Sequence, residues 1–552
     1  MTVDGAKEGD TSAAEGGALA PLKSPTFRNI WSASLLSNFG TLIQGVGAAW
    51  EMTRLTDSPE MVALVQSAMM LPLMLVAVPA GAIADLFDRR KVALTGLSVS
   101  VVCAITLTAL AAAGMTTPWM LLGFCALIGV GMALYAPAWQ SSIAEQVEPK
   151  DLPAAVALGS VSYNIARSFG PAIGGAIVLA AGATAAFGVN AASYIPLFIA
   201  FWLWKRPVTP TNFARERFDR AIVSGARFVR HSPPARTVVV RAFIAGLAGA
   251  SISALTPLIA RDMLHGDAST YGLLLGAFGV GAVAGALNMS KLRALLSVER
   301  LVAACSGVTG AMTLIVSVSH SLILTSLALA IAGAAWMVIM AMLNVAVQLS
   351  TPRWVTARAL AWYQSALTGG IAIGAWLWGV VTASWSLEAA LALSGLALIA
   401  MPLIAFILPM PITQGGGLDA VPISSEPEVA LAITSRSGPV AIEIDYRVAQ
   451  DKLREFSDLM LELQSARHRN GAYDWSLARD IADPALWTER YHYPTWGDYL
   501  RQRSRFTEAD FKLQRAVAPF RGDPSAPIRR RLERPAGGTD LGGDDPIAIF
   551  TP

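Results

Sequence analysis

The sequence has little charge for a chain of 552 residues, because Asp, Glu, Lys and Arg make up only 15% of it. A soluble domain carries about 25%. The deficit is uneven, since residues 411–552 hold 39 of the 81 charged side chains. The first 410 residues are therefore too apolar for a soluble protein, whereas the last quarter has a soluble composition. A net charge of +3 is too small to indicate nucleic acid as a partner, and we expect none.

Cysteine and histidine are scarce as well. Cys103, Cys125 and Cys305 each lie in an apolar run, so they are interpreted as small hydrophobic residues and not as a disulfide framework or metal site. The five histidines show no metal-ligand spacing, and we expect neither a metal nor a cofactor. No lysine follows a glycine, which excludes the Gly-Lys-[Ser/Thr] phosphate loop of an ATP-driven pump.

Long hydrophobic runs, in contrast, are abundant. A helix needs about 20 apolar residues to cross a bilayer, and twelve such runs predict an all-α membrane protein with twelve transmembrane helices. Residues 1–27 contain no apolar core, so we expect no cleavable signal peptide. The predicted spans are 29–52, 60–83, 92–113, 118–143, 154–181, 185–204, 238–260, 270–290, 300–319, 321–349, 357–383 and 387–410.

Lys and Arg predict the orientation of these spans. With the N-terminal tail 1–28 in the cytoplasm, the segments on that side hold 21 Lys or Arg, whereas the opposite loops hold only Arg54 and Arg261. We therefore expect both termini in the cytoplasm. The spans form two six-helix halves, 29–204 and 238–410, joined by a cytoplasmic linker at 205–237. Paired halves are typical of transporters that rock around a central site.

An acidic and then basic loop follows span two, where residues 81–91 read Gly-Ala-Ile-Ala-Asp-Leu-Phe-Asp-Arg-Arg-Lys. Gly81 permits close helix approach, and Asp85 can accept from a neighbouring helix N-terminus. Arg89 and Arg90 can pair with an acid at another helix end, for which Glu145 is the best candidate. Such a latch would close one face of the transporter; the alternative is a loop that only orients the helices.

Span five contains the run Gly170-Pro171-Ala172-Ile173-Gly174-Gly175. Proline bends a helix and glycines admit a close partner, which suits a gating helix, although ordinary helix packing would use the same residues. The Gly-x-x-x-Gly pairs of span eight, Gly272/Gly276 and Gly281/Gly285, are interpreted as packing.

Arg167 lies near the middle of span five. A charge at that depth costs roughly 2.5–3.5 kcal/mol on insertion scales, so it should face a cavity or a partner. We expect it to bind an anionic substrate group or to stabilise a gate; the alternative is a structural arginine satisfied by carbonyls. Glu51, at the outer end of span one, is either a proton carrier or an interfacial anchor, and Asp85 and Glu145 are alternative proton carriers at the inner face. Further candidates for the substrate or proton pathway, each of which could instead bond a neighbouring helix, are Asn38, Gln44, Tyr135, Gln140, Asn164, Asn344, Gln348, Tyr363 and Gln364.

These motifs resemble those of the major facilitator superfamily. Residues 81–91 resemble its loop motif Gly-x-x-x-Asp-[Arg/Lys]-x-Gly-[Arg/Lys]-[Arg/Lys], with Leu86 and Asp88 in place of a basic residue and a glycine. Residues 170–175 resemble the core of its antiporter motif, Gly-Pro-x-x-Gly-Gly. A wider set of residues resembles the enterobactin-exporter-like branch of the superfamily. These residues are Asn38-Phe39-Gly40-Thr41, Trp50, Leu55-Thr56-Asp57-Ser58-Pro59 and Val65-Gln66-Ser67.

The resemblance covers about residues 25–410. It implies a secondary transporter, not an enzyme, in the inner membrane of a bacterium. Such a protein exports a small molecule (a siderophore, drug or metabolite) against inward proton flow by alternating access. The alternative is a membrane-anchored sensor or enzyme that acts through the C-terminal domain.

The last quarter predicts a small α+β domain. Residues 411–438 form a Gly/Pro/Ser-rich linker, 439–535 follow the order β-α-β-β-α-β of a ferredoxin-like fold, and 536–552 are expected to be disordered. In the strand 486–493, alternation sets Tyr491 and Tyr493 on the face opposite His492. The domain resembles the small barrels of the antibiotic-biosynthesis-monooxygenase type, which implies a homodimer through this domain as one option.

The charge asymmetry gives a test of topology. A reporter that is active only in the cytoplasm should be active when fused after Leu408 and silent when fused after Thr117, because basic loops stay inside. Reporter activity normalised to protein abundance measures this. A silent Leu408 fusion or an active Thr117 fusion would refute the orientation.

Overall fold

A computed structural model describes residues 19–205, 218–352, 355–410, 427, 429–431, 433–504, 506–521 and 528–533. The chain divides into two compact units. The first consists of Met1–Phe218, Ala242–Met342 and Gln364–Ile407, and the second of Asp219–Arg241, Leu343–Tyr363 and Leu408–Pro552.

Up to residue 406, almost all of the described residues are helical. Most of the helices begin at a Ser, Thr or Asp that caps the free backbone N–H groups, as Ser24, Ser58 and Asp88 do. They are α1 (Pro25–Leu55), α2 (Pro59–Leu86), α3 (Arg89–Ala112), α4 (Pro118–Ser142), α5 (Leu152–Leu203), α6 (Phe218–His231), α7 (Pro233–Leu258), α8 (Ala268–Leu295), α9 (Val298–Val318), α10 (Leu322–Leu349), α11 (Thr356–Ser384) and α12 (Leu387–Ala400).

Ten helical stretches of the described residues are long and apolar enough to cross a membrane. The helix α1 is not among them, because its 31 residues include polar side chains such as Asn38, Gln44 and Glu51. The helix α5 counts once, although it contains both span five and span six of the sequence prediction. It is interrupted at Gly182, whose φ of 76° and ψ of 173° are not helical. At 1.5 Å per residue its 52 residues would extend about 78 Å, over twice the thickness of a hydrocarbon core.

Glycines bring α8 and α10 into backbone contact. A Cβ added at Gly281 would overlap the carbonyl oxygen of Ala330, and one at Gly285 would overlap that of Ala334. On the other side of the contact, a Cβ at Gly333 would overlap the carbonyl oxygen of Phe278. The packing role predicted for Gly281 and Gly285 is therefore confirmed.

The second unit contains a four-stranded antiparallel sheet in the order β2-β3-β1-β4. Its strands are β1 (Val440–Arg447), β2 (Tyr473–Arg479), β3 (Leu486–Tyr493) and β4 (Arg529–Leu532). The helix α13 (Leu453–Arg469) connects β1 to β2, and α14 (Trp496–Ser504) and α15 (Glu508–Val517) connect β3 to β4. These elements follow the predicted order of strands and helices.

The core of this domain lies on one face of the sheet. Tyr491 and Tyr493 of β3 pack there with Phe456 and Met460 of α13. His492 pairs in register with Ala441 of β1 and points to the opposite face, where its ring lies 5.5 Å from that of Tyr473. The predicted alternation along β3 is confirmed.

A buried carboxylate ties the sheet to α13. Glu489 is 0% exposed and pairs with Arg467, 4% exposed, over 3.2 Å. It also accepts from Tyr446 Oη at 2.9 Å and from Trp475 Nε1 at 3.0 Å. Burial, and then the adjacent carboxylate, raise the pKa of Tyr446 well above its usual value, so its hydroxyl remains a donor. With three donors, Glu489 avoids the penalty of an unpaired buried charge.

The α8–α10 contact gives a prediction with a matched control. Gly281→Ala should destabilise the protein, because the new methyl overlaps a carbonyl oxygen and overpacking costs about 1–3 kcal/mol. Gly123→Ala should be neutral or stabilising, since nothing lies within 4 Å of its added Cβ and Ala favours helix over Gly. The thermal stability of both variants is measured in detergent, as the loss of the gel-filtration peak of the folded protein after heating. Equal melting of the two variants would contradict this packing.

Candidate functional site

The loop between α2 and α3 forms an ion pair with the end of α4. Arg89 Nη1 donates to Glu145 Oε1 at 3.0 Å and to the carbonyl oxygen of Ser141 at 2.6 Å. Asp88 caps α3 by accepting from the backbone N–H of Lys91 at 3.1 Å. This cap fixes the start of α3 at Arg89. The pairing that the sequence suggested between Arg89 and Glu145 is present in the structure.

Arg90 has different partners from those expected, because it bonds carbonyls and not an acid. Its Nε donates to the carbonyl oxygen of Phe201 at 3.0 Å, and its Nη2 donates to that of Trp202. These are free carbonyls in the last turn of α5, the negative end of a helix dipole. The surroundings of Gly81 and the side chain of Asp85 lie outside the described residues.

The glycines of span five pack α5 against two helices. A Cβ at Gly170 would lie 3.0 Å from Leu42 Cβ, and one at Gly174 would lie 3.1 Å from Ile43 Cα, both in α1. A Cβ at Gly175 would lie 2.6 Å from the Cα of Gly272 in α8. Pro171 takes part through its carbonyl oxygen, 3.1 Å from a Cβ added at Gly272. The motif therefore joins the two halves of the membrane unit.

A second contact between the halves lies at the predicted outer face. Arg261 Nη1 donates to the carbonyl oxygen of Thr53, in the last turn of α1, at 3.0 Å. Asp262 holds the guanidinium in place through bonds of 2.6 and 3.1 Å. Both residues lie in the π-helical turn Ile259–Met263, a feature frequent at functional sites. In the sequence, Arg261 stands out only as a loop charge. The signal for its role is the Arg261-Asp262 pair at the end of a span.

Two further contacts join the halves, one at the same end and one near the middle of α11. Trp50 of α1 stacks on Tyr271 of α8 with ring centroids 6.3 Å apart. Ser67 of α2 donates to the carbonyl oxygen of Ala372 in α11 at 2.7 Å. In contrast, the C-terminal half of α8 is exposed at positions that cover more than half of its circumference. These positions are Ala284, Ala286, Leu287, Asn288, Ser290 and Lys291.

Arg167 is half-buried in α5. It lies 15 residues after Leu152, the first residue of the helix, or about 22 Å along it. Seven residues separate it from Gly174, so it shares the face of α5 that packs on α1. Within the described part of the chain, its guanidinium has no hydrogen-bond or ion-pair partner.

Three of the other pathway candidates bond neighbouring helices of the first half. Asn38 donates to Ser162 Oγ at 3.2 Å. The buried Gln44 accepts from Asn190, and the buried Tyr135 donates to Ser34 Oγ at 3.4 Å. In this conformation they correspond to the alternative interpretation of helix-to-helix bonding.

The remaining candidates are dispersed. Glu51 accepts from Arg54 at 3.2 Å. Gln140 and Gln364 are exposed, and the side chain of Asn164 lies outside the described residues. In the second unit, Gln348 donates to Asn344 Oδ1 at 2.7 Å, and Tyr363 is buried.

Residues 16–536 match the family described as "Transmembrane secretion effector". The chain belongs to this family. The match runs beyond the helices into the C-terminal domain, and it agrees with the resemblance to the major facilitator superfamily. It favours transport over a membrane enzyme. Among the described residues, no group of three or more His, Cys, Asp or Glu could hold a metal ion.

Two curated relatives are bacterial. The chain is 24% identical over 268 residues to the "Staphyloferrin A transporter" of Staphylococcus aureus, covering 48% of this chain and 66% of that protein. It is 28% identical over 283 residues to the "Enterobactin exporter EntS" of Shigella boydii, covering 49% of this chain and 64% of that protein. The chain thus spans a little under two thirds of the length of these relatives.

A solved structure shares the fold of the membrane part. A POT family transporter in complex with 5-aminolevulinic acid has a TM-score of 0.56 and 13% sequence identity, over 71% of this chain and 97% of that one. At this identity the likeness describes the fold alone.

The Arg89–Glu145 pair gives a prediction about the inner face. Arg89→Gln should lower the temperature of thermal inactivation in detergent by about 2 °C or more, because a partly buried charged bond is lost. Lys91→Gln removes an equal charge from the same loop, but its side chain is exposed, so it should change little. Arg89→Glu combined with Glu145→Arg should recover part of the loss. If Arg89→Gln and Lys91→Gln changed the inactivation temperature equally, the structural role of the Arg89–Glu145 pair would be refuted, and Arg89 would act only as a charge that orients the helices.

Proposed function

We propose that this protein is a secondary transporter that exports a small anionic molecule across the inner membrane of a bacterium. The observation that carries the proposal is Arg167, a cation about 22 Å along a membrane helix without a protein partner among the described residues. A charge at that depth needs a counter-charge or water. The family match and the two siderophore-handling relatives support export of a small molecule.

The proposed topology has twelve spans, with both termini in the cytoplasm. Ten helical stretches qualify by hydropathy. The helix α1 adds one, because its 31 residues exceed the length that a bilayer requires. The helix α5 supplies two, because it is too long for one crossing and breaks at Gly182. The ratio of 21 to 2 basic residues supports the orientation.

Transport follows from rocking of the two halves about a central site. Arg261 and Trp50 hold the outer ends together and Ser67 joins the halves near the middle of α11, while the inner, C-terminal half of α8 is exposed. This arrangement corresponds to a conformation that is closed outside and accessible from the cytoplasm, where an exporter collects its substrate. Arg167, on the α1 side of α5, then binds the anionic group through its planar guanidinium.

The gates use the motif residues. In the proposed mechanism the loop with Gly81, Asp85, Arg89 and Arg90 is the inner latch. Its pair with Glu145 lies within the first half and is already formed in this conformation, so the pair shapes the loop and does not by itself close the cytoplasmic face. The α5 glycines provide the pivot on α1 and α8, because contacts without side chains can slide with little change in packing.

Inward proton flow drives export in this proposal. Glu51 is the proton carrier that we propose, since it is the acid of span one and lies near the outer contact of Thr53 with Arg261. The absence of a phosphate loop supports a gradient over ATP as the energy source.

The C-terminal domain is proposed to be ferredoxin-like. The strand order β2-β3-β1-β4 with helices after β1 and β3 supports this fold. A homodimer through this domain is part of the proposal. A sensor role for the domain is the second candidate function.

The site is tested by substitution of Arg167. Arg167→Ala should reduce efflux of an anionic substrate at least about tenfold without loss of the protein from the membrane, because an ion pair in a low-dielectric cavity is lost. Arg167→Lys should restore only part of it, because a point charge replaces a planar fork. Efflux of staphyloferrin A and of enterobactin, the compounds named for the two relatives, from cells that express each variant provides the measurement.

The same assay includes a control for the energy source. An uncoupler should stop export by the unsubstituted protein at unchanged ATP. Arg230→Ala removes an exposed arginine and should leave efflux unchanged. Normal efflux by both Arg167 variants would refute the binding site, whereas efflux that ignores the uncoupler would refute only proton coupling.

A further inference from the structure

The helix α6, between the two halves in sequence, has contacts on opposite faces. One face packs on the first turns of α11. A Cβ at Gly225 would lie 3.1 Å from Arg358 Cβ and 3.4 Å from Trp362 Nε1. Phe228, on the same face, is buried in a cluster with Ala235 and Val355.

The other face contacts the C-terminal domain. Arg227 is two residues from Gly225, a rotation of about 200° on a helix, and His231 lies one turn further on the same side. Arg227 Nη1 donates to the carbonyl oxygen of Gly471 at 2.9 Å. The ring centroids of His231 and His468 lie 5.3 Å apart. All of these residues belong to the second compact unit.

The turn after α13 is shaped for this contact. Gly471 has a φ of 106°, which is strained for residues with a side chain. The residue follows the C-terminus of α13, the negative end of the helix dipole, where a cation is favoured. The ring nitrogen Nδ1 of His468 lies 3.2 Å from the carbonyl oxygen of Ala472, and that of His231 lies 3.0 Å from the carbonyl oxygen of Arg227. These contacts orient both rings.

The same region holds the chain where it leaves the last membrane helix. Arg241, near the start of α7, is 0% exposed and donates to the carbonyl oxygen of Leu408 at 3.2 Å. The segment that leads to the C-terminal domain is therefore fixed at its start, and the domain is fixed again through Gly471. Both attachments lie on the stretch from α6 to the start of α7, and α6 in turn packs on the first turns of α11.

We propose that the C-terminal domain is an autoinhibitory clasp. Through Arg227 and His231 it holds α6 against the cytoplasmic end of α11, and so stabilises the conformation that is closed outside. This inference rests on the proposed transport function, in which α11 moves as the outer face opens. The partner surface of the domain is thus α6 of its own chain, and release of the turn at Gly471 permits the transition.

Docking is tested by cross-linking in the full-length protein. The variant His231→Cys with His468→Cys, in a background of Cys103→Ala, Cys125→Ala and Cys305→Ala, carries a protease site in the linker 411–426. A short thiol-to-thiol reagent should keep the two fragments joined after proteolysis. The control pair His231→Cys with Glu462→Cys should not join, because Glu462 is exposed on another face of α13.

Regulation is tested by the accessibility of Ser67→Cys, which is isosteric and buried against α11. In detergent, Arg227→Ala with His468→Ala should raise its rate of maleimide labelling at least about fivefold, a typical allosteric coupling. Truncation after Thr413 should do the same. Arg230→Ala, which removes an exposed charge from the same helix, should leave the rate unchanged.

The outcomes separate the clasp from transport itself. No cross-link at His231 and His468, or labelling that is the same with and without the clasp residues and the domain, overturns the clasp and leaves the transporter proposal intact. A Ser67→Cys side chain that stays unreactive in every variant contradicts alternating access, and the clasp with it.

Discussion

The close approach of helix backbones is the interaction on which the membrane unit depends. In a bilayer the hydrophobic effect does not drive helices together, so dispersion and shape must do so. Glycine supplies that shape where α5 meets α8 at Gly175 and Gly272, and where α8 meets α10 at Gly281. The first of these contacts lies between the two halves, and the second lies within the second half. A contact between halves that is made by glycine backbones has few interlocking side chains to separate, which suits two halves that exchange two discrete arrangements.

Two of the described ion pairs of the membrane helices lie at helix ends. Arg89 pairs with Glu145 at one end of the helices, and Arg261 with Asp262 reaches Thr53 at the other end. A guanidinium that donates to a free carbonyl at a helix terminus is stabilised by the helix dipole. When this hydrogen bond breaks, no unpaired anion is left buried. Arg167 differs, because it lies at depth without such a partner in the described part of the chain.

The C-terminal domain uses charge in the opposite way. Glu489 is fully buried and satisfied by three donors, among them Arg467. A network of this kind is costly to break, so the domain acts as a rigid piece. Its contacts with α6, at Gly471 and His468, are by contrast small and partly exposed. A rigid module on a weak contact is suited to regulation, since little free energy separates the docked state from the released one.

Local periodicity in the sequence determined most of the fold. The twelve apolar runs, the alternation that sets His492 opposite Tyr491 and the acid-base loop ahead of α3 depend only on neighbouring residues. The pairing of Arg89 with Glu145 was also predictable, because few acids lie at helix ends. The carbonyl partners of Arg90 were not, since carbonyl groups leave no mark in a sequence.

Only the tertiary structure decided which distant segments meet. Nothing in the pattern around Arg261 indicates Thr53 as its partner. His231 and His468 are separated by seven helices and strands, α7 to α12 and β1. Such contacts depend on how whole helices and the sheet pack, and packing is set by the sum of many weak interactions, none of which is encoded locally. The sequence therefore determined the spans, the strands and the charged residues, whereas the structure decided which of those charges face each other, because that depends on helix packing.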